Sequence, residues 1–170
     1  MRNGIAYFIK EFSSYIICIV AVLFFKDFFY APVLVDGDSM YSTLHTNDVM
    51  ILSKISKRLD GLKRFDIVVV EENNKYLIKR IIALPGETLE YKDNKLYING
   101  EYVEEPFLKD DVKTNNYKLE FKVPEDFYFV MGDNRPVSFD SRRMGCFSIN
   151  RIKGKANLTI FPFSRFGNKE

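Results

Sequence analysis

The chain has 170 residues, and its 25 basic and 23 acidic side chains leave a formal net charge of +2. This near balance gives no reason to expect a nucleic-acid partner. One histidine and two cysteines supply too few ligands for a tetrahedral zinc site unless carboxylates complete it, so we expect no metal. Cys18 and Cys146 lie near opposite ends of the chain, and we predict free thiols.

The N-terminal region contains an uncharged apolar run, FSSYIICIVAVLFF, at residues 12–25. The run is shorter than the ~20 residues that a spanning helix usually needs, but charged side chains at both ends can extend towards the interfaces. We therefore predict one transmembrane helix within residues 5–30. The alternative is a cleaved signal peptide, which needs small residues after the run, and only Ala31 is available there.

This anchor divides the chain. Residues 1–31 are predicted to be the cytoplasmic N-terminus and the transmembrane segment, because Arg2 and Lys10 precede the run and acidic residues follow it. Residues 32–170 are predicted to form one extracytoplasmic domain.

Short apolar runs follow the anchor, rich in Val, Ile, Phe and Tyr and separated by Gly, Pro and Asn, which is typical of β-strands. We therefore predict a mainly β domain. The runs are VMIL from Val49, DIVVVE from Asp66, YLIKRIIAL from Tyr76, KLYI from Lys95, YKLEFKV from Tyr117, FYFVM from Phe127 and NLTIF from Asn157.

Two local features refine this prediction. Asn99 and Gly100 separate two strand-like runs and predict a two-residue hairpin turn. Residues 91–116 have the weakest apolar periodicity, so we predict an inserted surface lobe at about 88–126. A short exposed helix is also expected in KISKRLDGLKR.

Ser39 follows Gly37 and Asp38 in VDGDSMYSTLH and is a candidate nucleophile, which needs a neighbouring base. The only histidine, His45, lies six residues later, roughly 20 Å away along an extended chain. We therefore expect His45 to be a loop residue without a catalytic role.

Lys79 is the second candidate base. In YLIKRIIAL it stands between apolar neighbours of one strand face, where burial disfavours the charged amine and lowers its pKa. Extension of Lys79 into solvent from an edge strand is the alternative interpretation. The loop MGDNRPVSFDSRRMG, at residues 131–145, offers polar side chains that can orient the amine, with Ser138 as the candidate. An ordinary ion-paired surface turn is the alternative for this loop.

Three segments, GDSMYSTL, KRIIALPGE and GDNRPVSFDSRRMG, resemble in this order the three diagnostic motifs of bacterial type I signal peptidases. Members of that family are membrane-anchored serine proteases with a Ser-Lys dyad. The resemblance implies a coiled β-sheet catalytic core with a smaller inserted β lobe, and an enzyme that requires no cofactor.

The same resemblance implies roles for individual residues. Ser39 matches the nucleophile and Lys79 the general base, while Ser138 matches the serine that hydrogen-bonds the lysine amine. The residues that match the charged groups bracing that loop are Asp133, Asp140 and Arg142. Apolar residues that correspond to the substrate pockets are Val33, Val35, Met40, Leu44, Leu77 and Ile78, and they predict small side chains at positions one and three before the cut.

The chain departs from the family pattern at three places. Ser42 stands where the family usually has proline, which removes a fixed φ from the turn after the nucleophile. Pro136 and Val137 stand where the family frequently has an asparagine or aspartate pair. Gly37 stands where some members have a serine that helps to bind the oxyanion, so that stabilisation has to come from the Ser39 backbone N–H and any donor for which Gly37 leaves room.

The predicted function is therefore a serine endopeptidase that removes N-terminal signal peptides from exported preproteins at the outer face of the cytoplasmic membrane. Its expected partners are preprotein signal peptides and, through the anchor, the lipid bilayer, with no nucleic acid and no obligate protein partner. One rival is a self-cleaving Ser-Lys repressor relative, but the anchor occupies the place of the helix-turn-helix it needs. The other is a silent or specialised membrane-anchored β module that serves one dedicated secreted cargo.

Overall fold

The computed structural model of the chain describes residues 12–13, 15–20, 22–23, 29–59 and 61–169. Residues 12–13, 15–20 and 22–23 are helical. Within the described part of the chain, no helix is long and apolar enough to cross a membrane. The other residues of the predicted anchor, up to position 28, lie outside the described residues.

The regular secondary structure of the described residues after position 29 is mainly β-strand, which confirms the predicted mainly β domain. The strands are β1 (Tyr30–Leu34), β2 (Val49–Ser53), β3 (Ile67–Glu72), β4 (Lys75–Ala83), β5 (Leu89–Lys92), β6 (Lys95–Ile98), β7 (Glu101–Val103), β8 (Tyr117–Lys118), β9 (Phe127–Met131), β10 (Phe147–Ser148), β11 (Ile152–Phe161) and β12 (Gly167–Asn168). Two four-residue α-helices, α1 (Ser56–Leu59) and α2 (Ser141–Met144), and two 3-10 helices, Ile149–Arg151 and Phe163–Arg165, connect them.

The strands form two antiparallel sheets. The larger sheet has the order β1-β2-β11-β3-β4-β9-β10, with β12 paired to β11. The smaller sheet has the order β7-β6-β5-β8 and is inserted in the chain between β4 and β9. The region predicted as an inserted lobe at about 88–126 contains these four strands, and we call residues 89–118 the inserted lobe.

Strand β4 pairs with different strands along its length, and this part of the sheet forms the floor of a cleft. Residues Lys75–Arg80 pair with β3, whereas Arg80–Ala83 pair with β9. The first half of β4 therefore has one edge without a strand partner among the described residues. Strand β1 is an edge strand as well, since it pairs with β2 alone.

Three buried apolar clusters hold the sheets together. One lies behind the turn after β1 and includes Met40, Leu44 and Met50. A second joins the inserted lobe to β4 and β9, because Leu89 and Tyr91 pack with Ile82, Phe129 and Met131. The third includes Val68, Val70, Ile81 and Val130. Burial of each such side chain contributes roughly 1.5–3 kcal/mol, so the inserted lobe is firmly packed against the strands that carry the candidate site.

The predictions for a hairpin turn, a strand and a short helix were confirmed to different extents. The hairpin at Asn99 and Gly100 is confirmed: both residues have positive φ, 52° and 84°, and join β6 to β7. Strand β9 spans the predicted run FYFVM. The helix expected in KISKRLDGLKR is confirmed only for the four residues Ser56–Leu59.

Candidate active site

Ser39 lies on a tight turn that follows β1. The Tyr41 N–H donates to the Asp38 carbonyl at 3.1 Å, and the Leu44 N–H donates to the Met40 carbonyl at 2.9 Å. Met40 and Leu44 are 1% and 0% exposed. The burial of these side chains anchors the turn to the core, and Ser39 is held on the side of the turn that faces away from the core.

Lys79 extends from the unpaired part of β4 to this turn. Its Nζ donates to Ser39 Oγ at 2.7 Å and to the Ile78 carbonyl at 3.1 Å. The lysine is 2% exposed. The alternative in which Lys79 extends into solvent is therefore wrong, and nucleophile and base candidates are in direct contact.

Burial changes the protonation of this amine. Desolvation disfavours the ammonium form and lowers the pKa of Lys79 from 10.5 to about 8, while the carboxylates of Asp140 and Asp133 act in the opposite direction. A substantial fraction of the amine is then neutral near pH 8 and can accept a proton from a hydroxyl.

The catalytic loop, residues 132–140, joins β9 to α2. It packs against the turn that contains Ser39, which we call the nucleophile turn. A side chain at Gly132 would collide with the Ser39 carbonyl oxygen and with Ser138 Oγ, so only glycine allows this approach. The Asn134 N–H donates to the Ser39 carbonyl at 3.0 Å, and Asn134 Nδ2 donates to the Asp38 carbonyl at 2.9 Å. Asn134 thus fixes the backbone on both sides of the nucleophile.

Ser138 is buried at 4% exposure, beside Gly132. Its Oγ makes no hydrogen bond of normal geometry to any described residue, although its proximity to Asp140 helps to lower the pKa of that carboxyl. Ser138 therefore lies at the site, but Lys79 Nζ donates its hydrogen bonds to Ser39 Oγ and to the Ile78 carbonyl, and not to Ser138 Oγ.

Asp140 and Arg142 form one end of the loop. Arg142 donates through Nε and Nη2 to the two oxygens of Asp140, each at 2.9 Å, and the Gly132 N–H donates to Asp140 Oδ2 at 3.1 Å. Burial would raise the pKa of Asp140, but the hydrogen bonds and charge of Arg142 outweigh it and keep that pKa below its usual value. Asp140 also caps α2 by accepting from the Arg142 backbone N–H.

Asp133 forms the other end, with partners that the sequence interpretation missed. Arg80, which is fully buried, donates through Nε at 3.0 Å and Nη2 at 2.8 Å, and Thr43 Oγ1 donates at 2.6 Å. Thr43 belongs to the nucleophile turn, so Asp133 links this turn to β4. The alternation in YLIKRIIAL placed Arg80 on an otherwise apolar strand face, and a buried arginine needs an acid partner.

A cleft of about 100 Å³ lies beside Ser39 and Lys79, and most of its lining residues are apolar. Of the predicted pocket residues, Val33, Val35, Met40, Leu77 and Ile78 line it. Leu44 does not line the cleft; it is fully buried beneath the turn, because the turn hydrogen bonds direct it to the core. Other lining residues, missed from the sequence, include Leu34 and Tyr76.

His45 has no hydrogen bond to either Ser39 or Lys79. Its ring packs edge-on against Tyr41 with centroids 5.0 Å apart, and its backbone N–H donates to Asp48 Oδ2 at 2.9 Å. Within the described residues, no three His, Cys, Asp or Glu side chains are placed to hold a metal ion. The contact between Lys79 Nζ and Ser39 Oγ is suited to proton transfer between one serine and one lysine.

Comparison with known proteins identifies relatives over nearly the whole chain. The model of a family described as "Signal peptidase, peptidase S26" matches residues 8–161. A signal peptidase I of Bacillus amyloliquefaciens is 42% identical over 161 residues, covering 89% of this chain and 87% of the relative. Signal peptidase I S of Bacillus subtilis is 40% identical over 162 residues, covering 89% and 88%. The crystal structure of a signal peptidase I from Enterococcus faecalis has 38% sequence identity and a TM-score of 0.51, covering 55% of this chain and 95% of that chain.

Proposed function

The chain belongs to the signal peptidase family, peptidase S26, and we propose that it is a serine endopeptidase that removes N-terminal signal peptides from exported preproteins at the outer face of the cytoplasmic membrane. The observation that carries this proposal is the contact of 2.7 Å between Lys79 Nζ and Ser39 Oγ. A silent β module has no need for a buried lysine at this position, because burial of the amine is costly.

In the proposed reaction, Ser39 Oγ attacks the scissile carbonyl while neutral Lys79 accepts the hydroxyl proton. Lys79 then delivers this proton to the leaving amine, which breaks the peptide bond and leaves an acyl-enzyme. Water hydrolyses the ester with Lys79 as base and regenerates Ser39. The burial of Lys79 supports this role, since the lowered pKa allows a neutral amine near neutral pH.

The oxyanion is proposed to bind at the Ser39 backbone N–H, which has no acceptor among the described residues. Gly37, two residues before Ser39, has a φ of 87° and no side chain to contribute a second donor. The hydrogen bonds from Asn134 to the Ser39 and Asp38 carbonyls support a rigid orientation of this N–H.

The substrate is proposed to bind as an extended strand in the cleft between β1 and β4. Both strands have an edge without a partner among the described residues, so their backbone groups are available for strand addition. Alternate side chains of such a strand point into the cleft, at positions one and three before the cut. The small apolar cleft favours alanine there.

Membrane attachment is proposed to use the N-terminal segment. Its described helical residues include Ile16, Ile17, Ile19 and Val20, which are 54–66% exposed. Lipid is the medium in which such an apolar surface is stable.

The proposal is tested with the detergent-solubilised full-length protein and a purified preprotein. Mass spectrometry of the products should find one cut, after a segment with alanine at positions one and three. Ser39→Ala should give none. Cleavage that continues in this variant would contradict the proposal, whereas absence of cleavage of several preproteins by the wild type would favour the silent module.

A further inference from the structure

The inserted lobe contacts the catalytic loop through one buried arginine, Arg135. Its side chain is fully buried, and its guanidinium donates to Tyr91 Oη at 2.7 Å and to Thr114 Oγ1 at 3.0 Å. It also donates to both carboxylate oxygens of Glu105, at 2.6 and 3.3 Å. All three acceptors belong to the inserted lobe, although Arg135 belongs to the catalytic loop.

Glu105 is the charged member of this set and is itself oriented. Its carboxylate is 8% exposed, and it accepts a further hydrogen bond from Tyr91 Oη at 2.8 Å. A buried guanidinium is stable only when an acid and additional acceptors satisfy its donors. The position of Arg135 is therefore set by the lobe, with Glu105 as its principal partner.

Arg135 in turn holds Gly132, so the position of Gly132 depends on that of Arg135. Its Nε donates to the Gly132 carbonyl at 3.2 Å, and its own carbonyl accepts from Arg142 Nη2 at 2.7 Å. The Gly132 N–H is held by Asp140. Gly132 is also the residue packed against both the Ser39 carbonyl and Ser138 Oγ, so a displaced Gly132 changes the packing around the nucleophile.

We propose that Glu105 is a positioning residue for the dyad: through Arg135 and Gly132, the inserted lobe holds the catalytic loop against the Ser39 turn. The proposed function supplies the reaction in which this positioning is measured. Substrate binding is not expected to depend on Glu105, because no residue of the inserted lobe or the catalytic loop lines the cleft.

The test is the Glu105→Gln variant, which keeps the side-chain size and removes the charge. With a signal-peptide substrate, we expect kcat to fall about 10- to 100-fold, since small misplacements of reacting groups have effects of this size, while KM changes little. Amide hydrogen exchange within residues 132–138 should increase. The matched control is Glu104→Gln, because Glu104 is exposed and adjacent in sequence; it should behave as the wild type in both measurements.

A folded Glu105→Gln variant with wild-type kcat and unchanged exchange at residues 132–138 would overturn the proposal. A rise in KM with constant kcat would do the same, since it would assign Glu105 to substrate binding. If this variant does not fold, Thr114→Val removes one acceptor but retains the ion pair, and it should lower kcat to a smaller extent at constant KM; wild-type kcat would count against the proposal. Failure of the wild type to cleave concerns the proposed function alone, because hydrogen exchange needs no substrate.

Discussion

At the residue scale, the proposed chemistry depends on the contact of Ser39 with a buried Lys79. We predict that Ser39→Ala and Lys79→Ala each lower kcat/KM by at least about 10⁴-fold, because nucleophile and base act as a unit. Circular dichroism should find both variants folded. Preprotein cleavage followed by gel electrophoresis measures the loss.

The matched control for this prediction is His45→Ala. The structure gives His45 no hydrogen bond to either residue of the dyad, so most of the cleavage activity should remain. A folded His45→Ala variant without activity, or near-normal turnover by Lys79→Ala, would disprove the assignment of the base.

The pH dependence of the reaction follows from the same burial. Only the neutral amine accepts the serine proton, so kcat/KM should rise with pH along a limb whose midpoint lies at about 8, the lowered pKa of Lys79. The measurement is a pH-rate profile with a peptide substrate. Cys146→Ser serves as the control and should leave the limb unchanged, because burial raises the pKa of this thiol to about 11. A midpoint near 10.5 would mean that the lysine is exposed during the reaction.

Ser138 provides a separate test at this scale. Its buried hydroxyl lies beside Gly132 without a hydrogen bond of normal geometry to any described residue. If it turns to the amine when substrate is bound, Ser138→Ala should lower kcat and shift the midpoint of the same limb. An unchanged profile and rate would exclude this role.

At the scale of secondary structure elements, the sequence predicted elements whose pattern lies within one short segment. Strand β9 and the turn at Asn99 and Gly100 follow from alternation and from turn residues with positive φ. Strands β10 and β12 were missed because each has two residues, and such strands are stabilised by pairing with distant segments.

The residues of the candidate site also divide into those that the sequence predicted and those that it missed. Ser39, Lys79 and the residues of the catalytic loop were found from motifs in contiguous segments. Partners contributed by other segments, such as Thr43 and Arg80 for Asp133, were missed, because no single segment carries the pairing. Leu44, predicted as a pocket residue, is fully buried in the core and is not among the residues that line the cleft.

Strand β4 allows a prediction about specificity. Leu77 lines the cleft from the unpaired part of this strand. Leu77→Ala should enlarge the pocket, so kcat/KM for valine relative to alanine at position one should increase about tenfold, the typical effect of a small change in pocket volume. The measurement is a substrate series with Ala, Val, Leu and Asp at positions one to three.

The control variant for this series is Lys75→Ala, which changes an exposed side chain of the same strand outside the cleft and should leave the valine preference unchanged. Aspartate at position one should be poorly cleaved by every variant, because its charge is desolvated in an apolar pocket. Equal cleavage of aspartate and alanine would contradict the pocket assignment.

At the scale of the whole molecule, the described N-terminal helical residues and the sheet differ in what covers their apolar side chains. Met40 and Ile67 are buried by protein, whereas Ile16 and Val20 are 54% and 59% exposed. Because β1 begins at Tyr30, directly after the apolar segment, and lines the cleft with Val33, an anchored segment would keep the cleft close to the membrane surface. An incoming signal peptide would then arrive in the same place.

We therefore predict that the full-length protein sediments with membranes and resists extraction by sodium carbonate. The double variant Ile16→Lys/Val20→Lys should be extracted, since each central lysine costs about 2.5–3.5 kcal/mol of insertion free energy. Cleavage of a short soluble peptide should continue in this variant, because the dyad lies in the β domain, while cleavage of a membrane-inserted preprotein should fall. The control is Leu59→Lys, which adds one charge at a residue that is 71% exposed in the β domain and should remain with the membrane. Carbonate resistance of the double variant would mean that another part of the chain holds the protein at the bilayer.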